Sequence, residues 1–176
     1  MEGEHWAGKI RILDEGTISR IAAGEVIERP ASAVKALVEN ALDAGASRIE
    51  VEIISRQGGI TRIRVSDNGS GMGPEDANLA CMAHATSKIQ SLSDLTRVRS
   101  LGFRGEALSS IAAVSRLTLT TRMRGAGIDG VRIVNEAGNV IEKGIVGCPD
   151  GTCIEVDEIF FNTPARKKFM RPIATE

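Results

Sequence analysis

The sequence predicts an α+β fold: a two-layer sandwich in which a mixed β-sheet is covered by helices on one face. Three observations carry that prediction. Apolar residues recur at helical spacing in the early part of the chain. The period changes to two just after Gly45. Strand-like alternation then dominates from about residue 116 onward, so helices fall early and strands fall late.

Each element has a local reason. Residues 1–16 are weakly patterned and are expected to form an arm, with one domain spanning 17–176. Thr17 is placed to cap a first helix running to about Ile27, with Ile18, Ile21, Ala22 and Val26 apolar. Pro30 suits the first turn of a second helix reaching about Ala44. Its apolar stripe is Val34, Leu37, Val38, Ala41 and Leu42, and Gly45 ends it. Ile49, Val51 and Ile53 then alternate with charged residues. So do Ile63 and Val65 beyond Gly58 and Gly59, which reads as an antiparallel hairpin with one buried face. A short helix is expected from Pro74 to about His84, and another over 106–114. Strands follow at 116–122, 129–135, 139–146 and 152–158, and a basic helical tail over 163–171.

Bulk composition narrows the function classes. A chain of 176 residues with 42% hydrophobic residues can bury one sizeable core, and with 3% aromatics that core must be aliphatic. Lys+Arg 22 against Asp+Glu 23 argues against a domain built mainly to capture nucleic acid by charge. Cys81, Cys148 and Cys153 are odd in number and scattered, which fits a reducing compartment better than a disulfide framework. No run reaches membrane-spanning length and no signal-peptide core is visible, so an intracellular location is expected.

Five segments are candidates to carry chemistry. On the second helix Ala36, Asn40 and Asp43 lie opposite the apolar stripe. A solvated face is the ordinary reading of such residues. However, Asn is a poor helix-interior residue, and its amide oxygen is a hard ligand suited to magnesium beside phosphates. Asp67 closes the second strand and opens a glycine-rich run, with Gly71 and Met72 following. Its carboxylate can accept from an exocyclic amine while glycines let backbone approach a flat ring, yet the same residues are ordinary turn chemistry. Gly102, Phe103, Arg104, Gly105, Glu106, Ala107 and Leu108 lead into a helix N-terminus, an arrangement that favours anions. Thr86, Ser87 and Lys88 add two hydroxyls and a cation suited to polyphosphate, or simply form a helix-end loop. Gly151 and Thr152, taken alone, are a turn. A Walker loop and a dinucleotide fingerprint are both missing.

In chain order these segments resemble the GHKL (Bergerat) nucleotide-binding fold, and most closely the MutL family. The resemblance rests on IAAGEVIERP from Ile21 to Pro30, VENALDAG from Val38 to Gly45 and DNGSG from Asp67 to Gly71. It continues through HATSK from His84 to Lys88, GFRGEAL from Gly102 to Leu108 and NTPAR from Asn162 to Arg166. It implies ATP and Mg2+ as cofactors, with Asn40 on the metal and Asp67 on the adenine amino group, near Gly71 and Thr152. Thr86, Ser87, Lys88 and the backbone from Gly102 to Leu108 would hold the phosphates and form a lid. It further implies ATP-driven pairing with a second MutL-type subunit. A mismatch-recognition protein and DNA would be partners in mismatch repair.

Two departures qualify that expectation. The family reads Lys-Glu-Leu-Val-Glu-Asn on the helix, its first Glu being the general base, whereas this chain has Ala36 there. A methyl group cannot take a proton, and Glu39 is rotated about 100° away on an ideal helix. The expectation is ATP binding with slow hydrolysis. MutL proteins also continue into a second α/β domain that supplies a lysine, and then into a dimerising region. This chain is expected to stop at the end of the ATPase subdomain. Two alternatives remain: a non-catalytic, nucleotide-gated assembly module, and another GHKL enzyme such as a type II topoisomerase subunit. The basic end, Arg166, Lys167, Lys168 and Arg171, is either a DNA contact or a solvated helix face.

Overall fold

A computed structural model describes residues 11–56, 59–82, 85, 105–127, 129–168 and 170. Its elements, in order, are α1 (Glu15–Val26), α2 (Pro30–Asp43), β1 (Ile49–Arg56), β2 (Gly59–Asp67), α3 (Pro74–Ala80) and α4 (Ala107–Ala113). Then come β3 (Arg116–Arg122), β4 (Gly130–Glu136), β5 (Asn139–Val146), β6 (Gly151–Asp157) and α5 (Pro164–Lys168). The six strands form one sheet in the order β1-β2-β6-β3-β4-β5.

The α+β architecture is as expected, but the sheet is not mixed. Every pairing in it is antiparallel. β2 and β3 do run in the same direction, yet β6 inserts between them and pairs antiparallel with both. The last strand therefore leaves β2 and β3 with no parallel contact, which a mixed sheet would have needed.

Helix ends follow simple capping physics. Asp14, not Thr17, caps α1: its carboxylate accepts from the Thr17 backbone N–H at 2.9 Å and from the Thr17 hydroxyl at 2.7 Å. The expected arm therefore gives up Glu15 and Gly16 to the helix, because an aspartate three residues upstream offers the stronger acceptor. α2 starts at Pro30 as predicted, and Gly45, at φ +68°, turns the chain out of it.

Successive strand pairs align side chains into three rungs on the helix-covered face. One rung is Ile53, Ile63, Val156 and Leu117; the next is Val51, Val65, Ile154, Leu119 and Ile133. Ile63, Leu117 and Leu119 are fully buried there, beneath Leu37 of α2 and Ile111 of α4. Phe160, also fully buried, closes the core from the segment after β6, with its N–H on the Val114 carbonyl at 2.6 Å.

The first hairpin departs from expectation. Val51 and Ile53 remain about half exposed, at 45% and 50%, although they face the same side as buried Val65 and Ile63. β1 is an edge strand, and the helix layer covers β2 more fully than the edge. On the opposite face the sheet is charged. Arg62 bridges Asp157 at 2.7 Å and Glu155 at 3.5 Å, Arg116 pairs with Glu136, and Arg132 with Glu142 at 2.7 Å.

Candidate nucleotide site

The third rung changes character. In the position where the previous two rungs carry aliphatic side chains, β2 ends in Asp67, β6 presents Thr152 and β3 presents Thr121. These three polar residues sit side by side at the end of an otherwise apolar inner sheet face. An acid placed there is partly cut off from water, and burial pushes the Asp67 carboxyl above the usual carboxylate range. Backbone N–H groups of Gly69 and Thr152 and the charge of Arg124 oppose that shift without cancelling it.

The loop after Asp67 is shaped by close approach. Gly69 N–H bonds Asp67 Oδ1 at 2.7 Å. Gly71 has φ +64°, and a Cβ there would lie 1.9 Å from the Arg122 carbonyl oxygen, so only glycine fits. Gly151, at φ +110°, is equally constrained, since a Cβ would meet the Asp67 carbonyl oxygen at 2.1 Å. The Met72 N–H donates to Thr121 Oγ1 at 3.0 Å, which ties the loop to β3.

The same loop is fastened to the C-terminal end of α2. Ser70 N–H donates to the Ala44 carbonyl at 2.9 Å, and Asn68 Oδ1 accepts from the N–H groups of Ser47 and Arg48 at 2.9 and 2.8 Å. The Ala44 N–H in turn bonds the Asn40 carbonyl at 3.0 Å, so Asn40 lies one helical turn from the tether. Ala36, Asn40 and Asp43 are each half-buried on α2. Glu39 pairs with Lys35 at 3.8 Å, which draws its carboxylate toward the Lys35 side of the helix.

Gly105, at φ +64°, turns the chain into α4, where Glu106 is the N-cap, Ala107 begins the helix and Leu108 packs against the core. Thr86, Ser87, Lys88, Gly102, Phe103 and Arg104 lie outside the described residues, as do Arg171 and both histidines. Thus Asp67, Gly71, Met72 and Thr152 come together, with α2 tied beside them. Thr121 is the residue that the sequence reading missed. Its only signal is that Leu117 and Leu119, two and four positions before it on the strand, are apolar and it is not.

The profile of the histidine kinase-, DNA gyrase B- and HSP90-like ATPase family matches residues 27–136, the stretch that holds α2, the Asp67 loop and α4. The chain belongs to this ATPase family. Within it, the chain is of MutL type. It is 56% identical over 169 residues to the DNA mismatch repair protein MutL of Methanoculleus marisnigri, covering 96% of this chain and 29% of that protein. It is 58% identical over 168 residues to MutL of Desulforudis audaxviator, with the same two coverages. The chain thus spans under a third of the length of these relatives. Among solved structures it is similar to the Aquifex aeolicus MutL ATPase domain complexed with ADP. That match has a TM-score of 0.64 and 39% identity, over 85% of this chain and 50% of that one. A second likeness is to the N-terminal domain of a DNA repair protein, at TM-score 0.66 and 34% identity, over 86% and 42% of the two chains. Among the described residues no helix is long and apolar enough to cross a membrane.

Proposed function

We propose that this chain is the nucleotide-binding unit of a MutL-type mismatch-repair protein, taking ATP with magnesium and hydrolysing it slowly. The observation that carries the reading is the polar rung Asp67–Thr152 at the end of an apolar sheet face, walled by a glycine loop that admits no side chain at Gly71 or Gly151. A purine ring suits the apolar approach, and its exocyclic amine suits the carboxylate. The Aquifex relative, solved with ADP, supports the choice of an adenine nucleotide.

The residues fit a magnesium-bound triphosphate by donor chemistry. Asn40 supplies a hard amide oxygen, with Asp43 on the same face. Among the described residues no group of three or more His, Cys, Asp or Glu forms a metal cage. A magnesium ion sharing one or two protein oxygens with phosphates and water needs no such cage. When bound, magnesium neutralises phosphate charge. The chain's own residues would then position the nucleotide: Asp67 would orient the base, and Asn40 would offer its amide oxygen to the metal. The backbone from Gly102 to Leu108, with Thr86, Ser87 and Lys88, would hold the phosphates. Exposed Ile12, Leu13, Ile18 and Ile21, in and just before α1, support an interface with a second MutL-type subunit. DNA and a mismatch-recognition protein are the further partners of the whole protein.

Slow hydrolysis follows from Ala36. It stands one turn before Asn40, where a base would reach the attacking water, and Glu39 is engaged with Lys35 instead. Ala36→Glu in the full-length protein should raise ATP turnover on the order of 10²-fold or more, the usual worth of a general base. Unchanged turnover, with ATP still bound, would remove the base assignment.

A further inference from the structure

Thr121 is buried at 0% exposure, and its hydroxyl has three partners. Met72 N–H approaches it at 3.0 Å, the Gly151 carbonyl oxygen at 2.9 Å and the Thr152 hydroxyl at 3.1 Å. A hydroxyl has one proton and two lone pairs. An N–H can only donate, so Met72 occupies one lone pair. A carbonyl can only accept, so Gly151 takes the single proton. What remains on Thr121 Oγ1 is a lone pair, and the contact with Thr152 is satisfied only if Thr152 donates.

That fixes the polarity of the neighbouring hydroxyl. With its proton turned toward Thr121, Thr152 Oγ1 offers only lone pairs to its other side. Thr152 pairs across the sheet with Asp67, whose carboxylate is also an acceptor. The end of the sheet is therefore lined by acceptors on two adjacent strands. A base edge carrying an amine finds partners there. One carrying a carbonyl oxygen meets acceptors and loses a hydrogen bond to water without replacement.

We propose that Thr121 is a specificity-determining positioning residue: it touches no nucleotide, but locks the Thr152 hydroxyl as an acceptor and so selects a 6-amino over a 6-oxo purine. The proposal deepens the adenine-nucleotide reading and rests on it. Val in place of Thr121 keeps the shape but frees the Thr152 proton to turn toward a carbonyl.

The test is calorimetric binding of ADP and of inosine diphosphate to the intact chain and its variants. The wild type should prefer ADP. Thr121→Val should reduce the ADP-to-IDP affinity ratio by about tenfold, the equivalent of one ordinary hydrogen bond. Thr121→Ser, which keeps the hydroxyl, should restore the wild-type ratio. Thr152→Val removes the same acceptor while leaving the Thr121 bonds to Met72 and Gly151, and should also lower the ratio; it serves if Thr121→Val does not fold. A merely structural Thr121 would weaken both nucleotides equally and leave the ratio intact, which would overturn the proposal alone. A wild type that binds ADP without preferring it over IDP would overturn this proposal together with the assignment of Asp67 to the exocyclic amine, while leaving nucleotide binding itself in place. Failure of the wild type to bind either nucleotide would instead bring down the nucleotide reading itself, and this inference with it.

Discussion

Asp67 is the residue on which the proposed nucleotide recognition turns, and its environment sets a pH dependence. Burial raises its pKa above the ordinary value of 3.8. The folded chain therefore holds this proton more tightly than the unfolded chain does. The stability that Asp67 contributes is greatest below its unfolded pKa and is lost as pH rises through the folded value. Nucleotide binding has the opposite sign, because an ionised carboxylate is the better acceptor for an amine. ADP affinity should decline as pH falls, starting above the range of an unperturbed aspartate. Asp67→Asn should weaken ADP binding on the order of tenfold or more and abolish that acid limb, because an amide cannot titrate. A calorimetric pH series on both proteins measures this. Persistence of the acid limb in the variant would assign it to another group.

Among the elements, the glycine loop and the α1–α5 contact behave differently under substitution. Gly71→Ala places a methyl group against the Arg122 backbone carbonyl in a left-handed conformation. Neither the carbonyl nor the φ angle can give cheaply, so a stability loss of about 1–3 kcal/mol or more is expected, together with loss of ADP binding. Thermal denaturation with and without ADP reads both. Gly24 in α1 is the opposite case. A Cβ there would fall 1.2 Å from Arg166 Nη2, the far end of a flexible side chain that can move away. Ala also favours a helix interior over Gly by about 1 kcal/mol, so Gly24→Ala should leave global stability nearly unchanged. It should instead release the guanidinium and speed amide exchange locally in α5. Equal protection of α5 in both proteins would show that the Arg166 contact does not hold it.

Over the whole molecule, charge is sorted by face. The open side of the sheet interleaves Arg62, Arg64, Arg116 and Arg132 with Glu52, Glu155, Asp157, Glu136 and Glu142, and these pair across strands. A balanced face offers no net attraction for a phosphate backbone. The basic tail is also divided: Arg166 is turned onto Gly24, while Lys167 and Lys168 stay exposed. Any DNA affinity of this chain should therefore be weak and salt-dependent. Lys167→Glu with Lys168→Glu should reduce it, whereas Arg132→Glu should not. Fluorescence anisotropy with duplex DNA at two salt concentrations distinguishes these outcomes.

By itself the sequence determined what local physics controls. Helical and strand periods, Pro30 at a helix start, Gly45 at a helix end and the ordered motifs from Ile21 to Arg166 were all legible, and with them the family. The candidate site was half legible: Asp67, Gly71, Met72 and Thr152 stand out in the sequence, and the structure brings them together. Only the tertiary structure decided the all-antiparallel sheet, the exposure of Val51 and Ile53, the inward turn of Arg166 and the place of Thr121. The reason is common to all four. Each depends on which strand or helix lies alongside, and Thr121 joins Thr152 and Asp67 only because β6, last in the chain, enters the sheet between β2 and β3. A one-dimensional pattern records which way a side chain faces, but not what it faces.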